Sequence, residues 1–144
     1  MTNVAFHLNV GDVGAYACRL LRKAYLKGAR VKVLTSPEQV PSLTRQLWTI
    51  GQGDFVPHAT ASASPRVRER SPILIGTDAS NDAGATVLLN LGGGWPGRVE
   101  DFDRVIEVVG LADADRQRAR ERWKSYRAAG FTPEAVDLSV KKGA

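Results

Sequence analysis

Basic and aromatic side chains recur together near the end of the chain, where residues 118–130 read RARERWKSYRAAG. On a helix, where successive residues turn by about 100°, four cations fall within one arc. These cations are Arg116, Arg120, Lys124 and Arg127. The adjoining arc carries Ala119, Trp123 and Tyr126. An apolar surface beside fixed guanidinium groups can hold a peptide with carboxylates and a hydrophobic side chain, because arginine binds a carboxylate through two parallel hydrogen bonds.

Two other interpretations of these residues remain open. Trp123 and Tyr126 can pack on the core while the basic side chains only solvate the helix. Direct nucleic-acid binding is the alternative function, although it favours cations along a longer path and aromatic rings free to stack on bases. Arg118 and Arg122 point away from the basic arc, so positive charge is not confined to one face. The nucleic-acid alternative also rests on three arginines near mid-chain, Arg66, Arg68 and Arg70.

A second group that can recognise a partner is aromatic. Trp48 ends a helical pattern, and Phe55 follows seven residues later, after two glycines. Together with Ile50 they can form an exposed apolar patch, and large patches of this kind tend to be interaction sites. From the residues alone, the interpretation that Trp48 and Phe55 cover the edge of the core is slightly favoured.

Residues for catalysis or metal binding lack the partners that such chemistry needs. His7 lies among apolar neighbours, and His58 has no second histidine or cysteine at ligand spacing. Cys18 lies in a helical pattern and is expected to be a buried, inert thiol. The glycines of 91–95, LGGGW, are not followed by the Lys-Ser or Lys-Thr pair of a phosphate loop. We therefore predict no catalytic residue, cofactor or metal. A nucleotide-using α/β enzyme remains a third possibility on fold analogy alone.

Composition bounds the class of protein. The chain has 144 residues and 43% hydrophobic residues, which suits one domain with one core. Its 20 Lys and Arg against 15 Asp and Glu give a net charge of +5, which favours an anionic partner. A single cysteine fits a reducing compartment. No signal-like or transmembrane run is found, so we expect a cytoplasmic protein that does not act at a membrane.

The elements that must position these side chains alternate between strand and helix. The predicted strands are 3–9, 30–35, 72–77, 86–91 and 104–110, and the predicted helices end before Gly28, begin at Ser36 and span 113–129. This order predicts a single α/β domain, 1–131, with an open, largely parallel sheet and helices on both faces. We expect a long surface loop over 51–71 and a weakly held tail, 132–144.

Five stretches resemble the chi subunit family of bacterial DNA polymerase III, a component of the clamp-loader assembly. They are LWTIGQGDFVPHA at 47–59, PILIGT, VLLNLG, RVIEVVG and ARERWKSYRAAGF at 119–131. In order and spacing they span nearly the whole chain. The last motif, combined with the Leu-Trp and Phe-Val-Pro-His pieces, is the most specific part of the resemblance.

The resemblance implies a non-catalytic adaptor with a Rossmann-like fold that has no nucleotide site and contacts nucleic acid mainly indirectly. It places the site for the acidic C-terminal tail of single-stranded DNA-binding protein on the basic arc. The matching residues are Arg116, Arg120, Trp123 and Lys124, with Arg127 beyond them. It places the surface for the psi subunit on Trp48 and Phe55, which favours the patch interpretation of both. Some chi proteins have tyrosine at position 123 and lysine at position 116, and bacteria without psi would present Trp48 and Phe55 to another partner.

Overall fold

The strands of the protein form one parallel sheet. The computed structural model describes residues 2–49, 56–60, 63–78, 84–92, 96–97 and 99–139. Its strands are β1 (Asn3–Val10), β2 (Val31–Leu34), β3 (His58–Thr60), β4 (Ile73–Gly76), β5 (Val87–Asn90), β6 (Arg104–Gly110) and β7 (Glu134–Asp137). Their order in the sheet is β3-β4-β2-β5-β6-β1-β7, and every neighbouring pair is parallel. The predicted open α/β architecture is confirmed.

Helices cover both faces of this sheet. They are α1 (Val13–Leu26), α2 (Val40–Trp48), α3 (Pro65–Arg70) and α4 (Asp113–Ala128). Alternate residues of β6 divide between two cores, since Ile106 and Val108 pack with α1 and α2, whereas Val105 and Val109 pack with α4. Helix α4 therefore lies on the face opposite α1 and α2, against β6 and β1. Within the described ranges, no helix is long and apolar enough to cross a membrane.

Helix α1 ends before Gly28, as the sequence predicts. The predicted start of the second helix at Ser36 is wrong, because the Ser36 side chain makes no capping hydrogen bond and α2 begins at Val40. The Asp12 carboxylate accepts a hydrogen bond from the amide of Ala15 at 3.0 Å, which starts α1. Gly28 follows α1 with φ +80°, a conformation that glycine adopts without a Cβ clash. A 3₁₀ turn over Pro37–Gln39 precedes α2, and Pro41 lies in the first turn of α2, where no intrahelical donor is required.

The prediction of an unbroken loop over 51–71 is wrong, because both β3 and α3 lie within it. Ser64 caps α3 by accepting a hydrogen bond from the amide of Val67 at 3.4 Å, and Pro65 occupies the first turn. A Ser-Pro pair is a helix start signal as well as a loop signal. The three arginines of this segment lie on or beside one short helix, and residues 50–55 and 61–62 lie outside the described residues.

The chain beyond residue 131 continues into the sheet. Strand β7 pairs with β1 in parallel, and the amide of Leu138 donates to the carbonyl of Leu8 at 3.0 Å. Pro133, just before the strand, is buried. The tail expected to be weakly held thus contributes an edge strand, and residues 140–144 lie outside the described part. Strand β7 brings Asp137 close to the amino-terminal half of α4.

Candidate functional site

A groove lies between α4 and the carboxyl half of β1. This α4 groove has a volume of about 320 Å³. Its walls combine apolar side chains with three polar ones, and the lining residues are Phe6, Leu8, Asn9, Val109, Arg116, Ala119, Arg120 and Trp123. Three of the five residues predicted for the acidic-tail site, Arg116, Arg120 and Trp123, therefore meet at one cavity.

Packed aromatic rings form the floor of the α4 groove. The half-buried Trp123 lies against Phe6, with ring centroids 5.1 Å apart and planes tilted by 57°. Phe6 in turn meets the edge of Tyr126, at 5.7 Å and 86°. Ala119 is buried, and its small side chain leaves the space open beside Trp123. Because these rings are held by their neighbours, the groove is preformed for a hydrophobic side chain.

Two guanidinium groups, one helical turn apart, border the groove. Arg116 donates from Nη2 to Asn9 Oδ1 at 2.8 Å, and Asn9 Nδ2 donates to Asp137 Oδ1, also at 2.8 Å. Hydrogen bonds from Ser139 and Asn9 lower the pKa of Asp137, so its carboxylate stays charged. Arg116 is thus oriented from β1 and β7. Among the described residues, no hydrogen bond or ion pair engages Arg120, whose exposed guanidinium is available to a ligand.

The other two predicted cations do not line the groove. Lys124 and Arg127 are exposed and follow Arg120 along the same arc of α4. They extend the positive surface toward the carboxyl end of the helix. The sequence prediction missed the opposite wall, which Leu8 and Asn9 supply. The one available signal was an asparagine at the end of β1, where Asn9 adopts φ +61°, since asparagine accepts this left-handed conformation more readily than most residues.

A buried polar network holds α4 against the sheet. Glu107 of β6 is fully buried, and Arg122 donates from Nε to its Oε1 at 2.8 Å. Tyr126 and Asn90 both donate to Oε2, at 2.6 Å and 3.0 Å. Burial raises the pKa of Glu107, and the charge of Arg122 opposes that rise. The sequence predicts that Arg122 points away from the basic arc, and in the structure its side chain faces the sheet and is only 6% exposed.

The second predicted surface is represented by Trp48. This residue ends α2 and is 60% exposed, with its ring 6.0 Å from that of His58 in an edge-on arrangement. Such exposure argues against a place at the edge of the core. Phe55 and Ile50, the other members of the predicted patch, lie outside the described residues.

The histidines and the cysteine have structural surroundings. His7 is 8% exposed, its Nδ1 lies 2.6 Å from the hydroxyl of Tyr16, and burial lowers its pKa. His58 Nδ1 lies 2.8 Å from the carbonyl oxygen of Val56. Burial raises the pKa of Cys18 to about 11, so the thiol is protonated at neutral pH. Within the described residues, no cluster of metal-ligating side chains occurs. Residues 93–95 of the LGGGW segment lie outside that part.

The amino-acid sequence is similar to that of known proteins. Residues 1–134 match the family described as DNA polymerase III chi subunit, HolC. The chain is 33% identical over 116 residues to DNA polymerase III subunit chi of Pseudomonas aeruginosa, covering 80% of this chain and 79% of that protein. It is 29% identical over 141 residues to the subunit of the same name from Escherichia coli, covering 91% and 95%.

A solved structure of low sequence identity shares the fold of this chain. The C-terminal domain of the DEAD-box protein Dbp5 superposes with a TM-score of 0.60 at 12% identity, over 96% of this chain and 92% of that one. At this identity the likeness shows a shared fold only, whereas the sequence matches span the sheet, α4 and the Trp48 region together. By these matches, the chain belongs to the chi subunit family of DNA polymerase III.

Proposed function

We propose that this protein is a non-catalytic accessory subunit of DNA polymerase III in DNA replication, and that it links the clamp loader to single-stranded DNA-binding protein. The link is the acidic C-terminal tail of that protein, bound in the α4 groove. The observation that carries the proposal is the meeting of Arg116, Arg120 and Trp123 at one preformed cavity. Membership of the chi family supports the assignment to the polymerase.

The chemistry of the groove fits a peptide that ends in a hydrophobic residue. A terminal phenylalanine fills the apolar floor beside Trp123, and its α-carboxylate is bound by Arg120, which has no partner among the described residues. Preceding aspartates lie along Lys124 and Arg127. The features of the groove favour this ligand over single-stranded nucleic acid, because Trp123 is packed against Phe6 and cannot stack freely on bases.

A labelled acidic peptide ending in Pro-Phe tests this proposal. We expect fluorescence anisotropy to show saturable binding to the protein, weakening as salt is raised because the cations are exposed. A peptide with a C-terminal amide loses the carboxylate that Arg120 binds, and a peptide ending in alanine leaves the groove empty. Each change is expected to weaken binding by about tenfold or more. Equal binding of all three peptides would show that charge alone is recognised.

The surface around Trp48 is proposed to bind the psi subunit or, in its absence, an equivalent protein partner. Exposure of a tryptophan at the end of a helix supports this, since buried aromatic anchors dominate the energetics of many interfaces. We expect Trp48→Ser to abolish co-purification of that partner with the full chain while leaving the affinity for the acidic peptide unchanged. Loss of both activities would indicate a folding defect, and retention of the partner would remove Trp48 from the interface.

A further inference from the structure

A second cavity opens on the other flank of α4, at the carboxyl ends of β2, β5 and β6. This switch-point crevice has a volume of about 420 Å³. Its walls include Gly14 in the first turn of α1 and three charged residues of α4, Asp115, Arg118 and Arg122. Strands β1 and β6 are neighbours, but their following helices lie on opposite faces of the sheet. Such a place is a topological switch point, and ligands of open α/β sheets commonly bind in the crevice beside it.

Two deeply buried polar groups in the crevice have unused hydrogen-bonding capacity. Thr35 is 2% exposed, and its hydroxyl makes no hydrogen bond in the part of the chain that the structure describes. Arg122 bonds Glu107 through Nε alone, and within the same part its two Nη atoms have no partner. The unbonded atoms of Thr35 and Arg122 are not fully enclosed by protein. They therefore face the open space of the crevice. Both groups can therefore hydrogen-bond a molecule that enters the crevice.

The electrostatics of the crevice favour an anion. The Asp12 carboxylate caps only the amide of Ala15, so the first-turn amides of α1 at Val13 and Gly14 are not bonded within the helix. The positive end of the dipole of α1 acts at the same place. Asp115 is the one acidic residue of the described lining, and Arg118 neutralises it through an ion pair of 2.5 Å.

We propose that the switch-point crevice binds the phosphate group of a small molecule. A phosphate presents several acceptor oxygens, which match the Arg122 Nη atoms, the Thr35 hydroxyl and the first-turn amides of α1. The volume lies within the range of small-ligand sites. No phosphate-binding loop is needed, because the donors come from α4, the end of β2 and the start of α1. This site is separate from the α4 groove and does not rest on its proposed function.

The test is an NMR titration of the ¹⁵N-labelled full chain with sodium pyrophosphate, with sodium chloride at matched ionic strength as reference. We expect amide shifts at Gly14, Thr35 and Ser36. Thr35→Val keeps the shape of the side chain and removes its hydroxyl, and it should raise the Kd by about tenfold. Thr44→Val is the matched control, because the Thr44 hydroxyl is also buried without a partner among the described residues but lies outside the crevice.

Two further arms complete the test. Ser36→Ala replaces Thr35→Val if that variant does not fold, since the partly exposed Ser36 also lines the crevice. ATP binding with the Kd of pyrophosphate would mean that the phosphate alone is recognised, and ATP binding at least tenfold tighter would identify a nucleotide. Shifts confined to the residues around Arg116 and Arg120, or a Kd that Thr35→Val and Ser36→Ala leave unchanged, would overturn the proposal.

Discussion

Replacing Arg120 with alanine is expected to weaken binding of the acidic tail peptide by about ten- to a hundredfold. Hydrogen bonds to charged groups contribute about 1.5–3 kcal/mol, and 1.4 kcal/mol corresponds to a factor of ten. Arg120 is exposed and makes no hydrogen bond or ion pair among the described residues, so its removal should leave the fold intact. Anisotropy titrations at low and moderate salt measure the effect. The ratio between the two proteins should shrink as salt rises, because exposed charges are screened.

Arg127→Ala is the matched control for this measurement. It removes the same charge from the same arc of α4, but from a position outside the groove. Exposed ion pairs of this kind contribute about 0–1 kcal/mol, so the loss of affinity should stay below about sixfold. Equal effects of the two substitutions would mean that the peptide follows the net charge of the helix. An unaltered affinity of Arg120→Ala would place the tail elsewhere.

The sequence predicted one side of the α4 groove and missed the other. Helical periodicity alone brings Arg116, Arg120 and Trp123 together, because positions three and four apart share a face. The contribution of Asn9 depends on where β1 lies in the sheet, and β1 is about a hundred residues away along the chain. Periodicity placed Arg122 away from the basic arc but could not predict its burial, because that depends on the acidic partner Glu107 on β6.

The buried central strands could be predicted from the sequence more readily than the exposed edge strands. Strands β4 and β5 are four residues each, yet their continuous apolar runs marked them, because both of their faces are covered. The edge strands β3 and β7 carry no such run. They read HAT and EAVD, and they form because a neighbouring strand supplies hydrogen bonds. Their existence is therefore a tertiary effect that local propensity does not contain.

Helix α4 joins three features that the sequence presents as a single basic segment. One flank borders the α4 groove, the opposite flank borders the switch-point crevice, and the face between them carries the network around Glu107. The geometry of both cavities depends on where α4 lies on the sheet. The buried network joins α4 to β5 and β6 and so helps to fix that position.

Arg122→Met is expected to destabilise the protein by about 3–5 kcal/mol, because it leaves the buried carboxylate of Glu107 without its cation. Methionine retains much of the volume, so the loss reports charge more than packing. Without Arg122 the pKa of Glu107 rises further above its ordinary value of 4.5. The folded variant then holds a proton that the unfolded chain releases above that pH. The defect should therefore grow as pH rises from 4.5, and urea unfolding at pH 5 and pH 8 measures it.

The double variant Glu107→Gln/Arg122→Met separates the charge effect from other losses. Glutamine is neutral and keeps a carbonyl oxygen that can accept from Tyr126 and Asn90, which both donate to Oε2 in the native network. Removing the buried charge together with its partner should recover most of the stability and abolish its pH dependence, since an ion pair replaced as a unit is often nearly neutral. If the double variant were as unstable as Arg122→Met at pH 8, packing of the arginine side chain would be the dominant contribution, and α4 would be held by shape and not by charge.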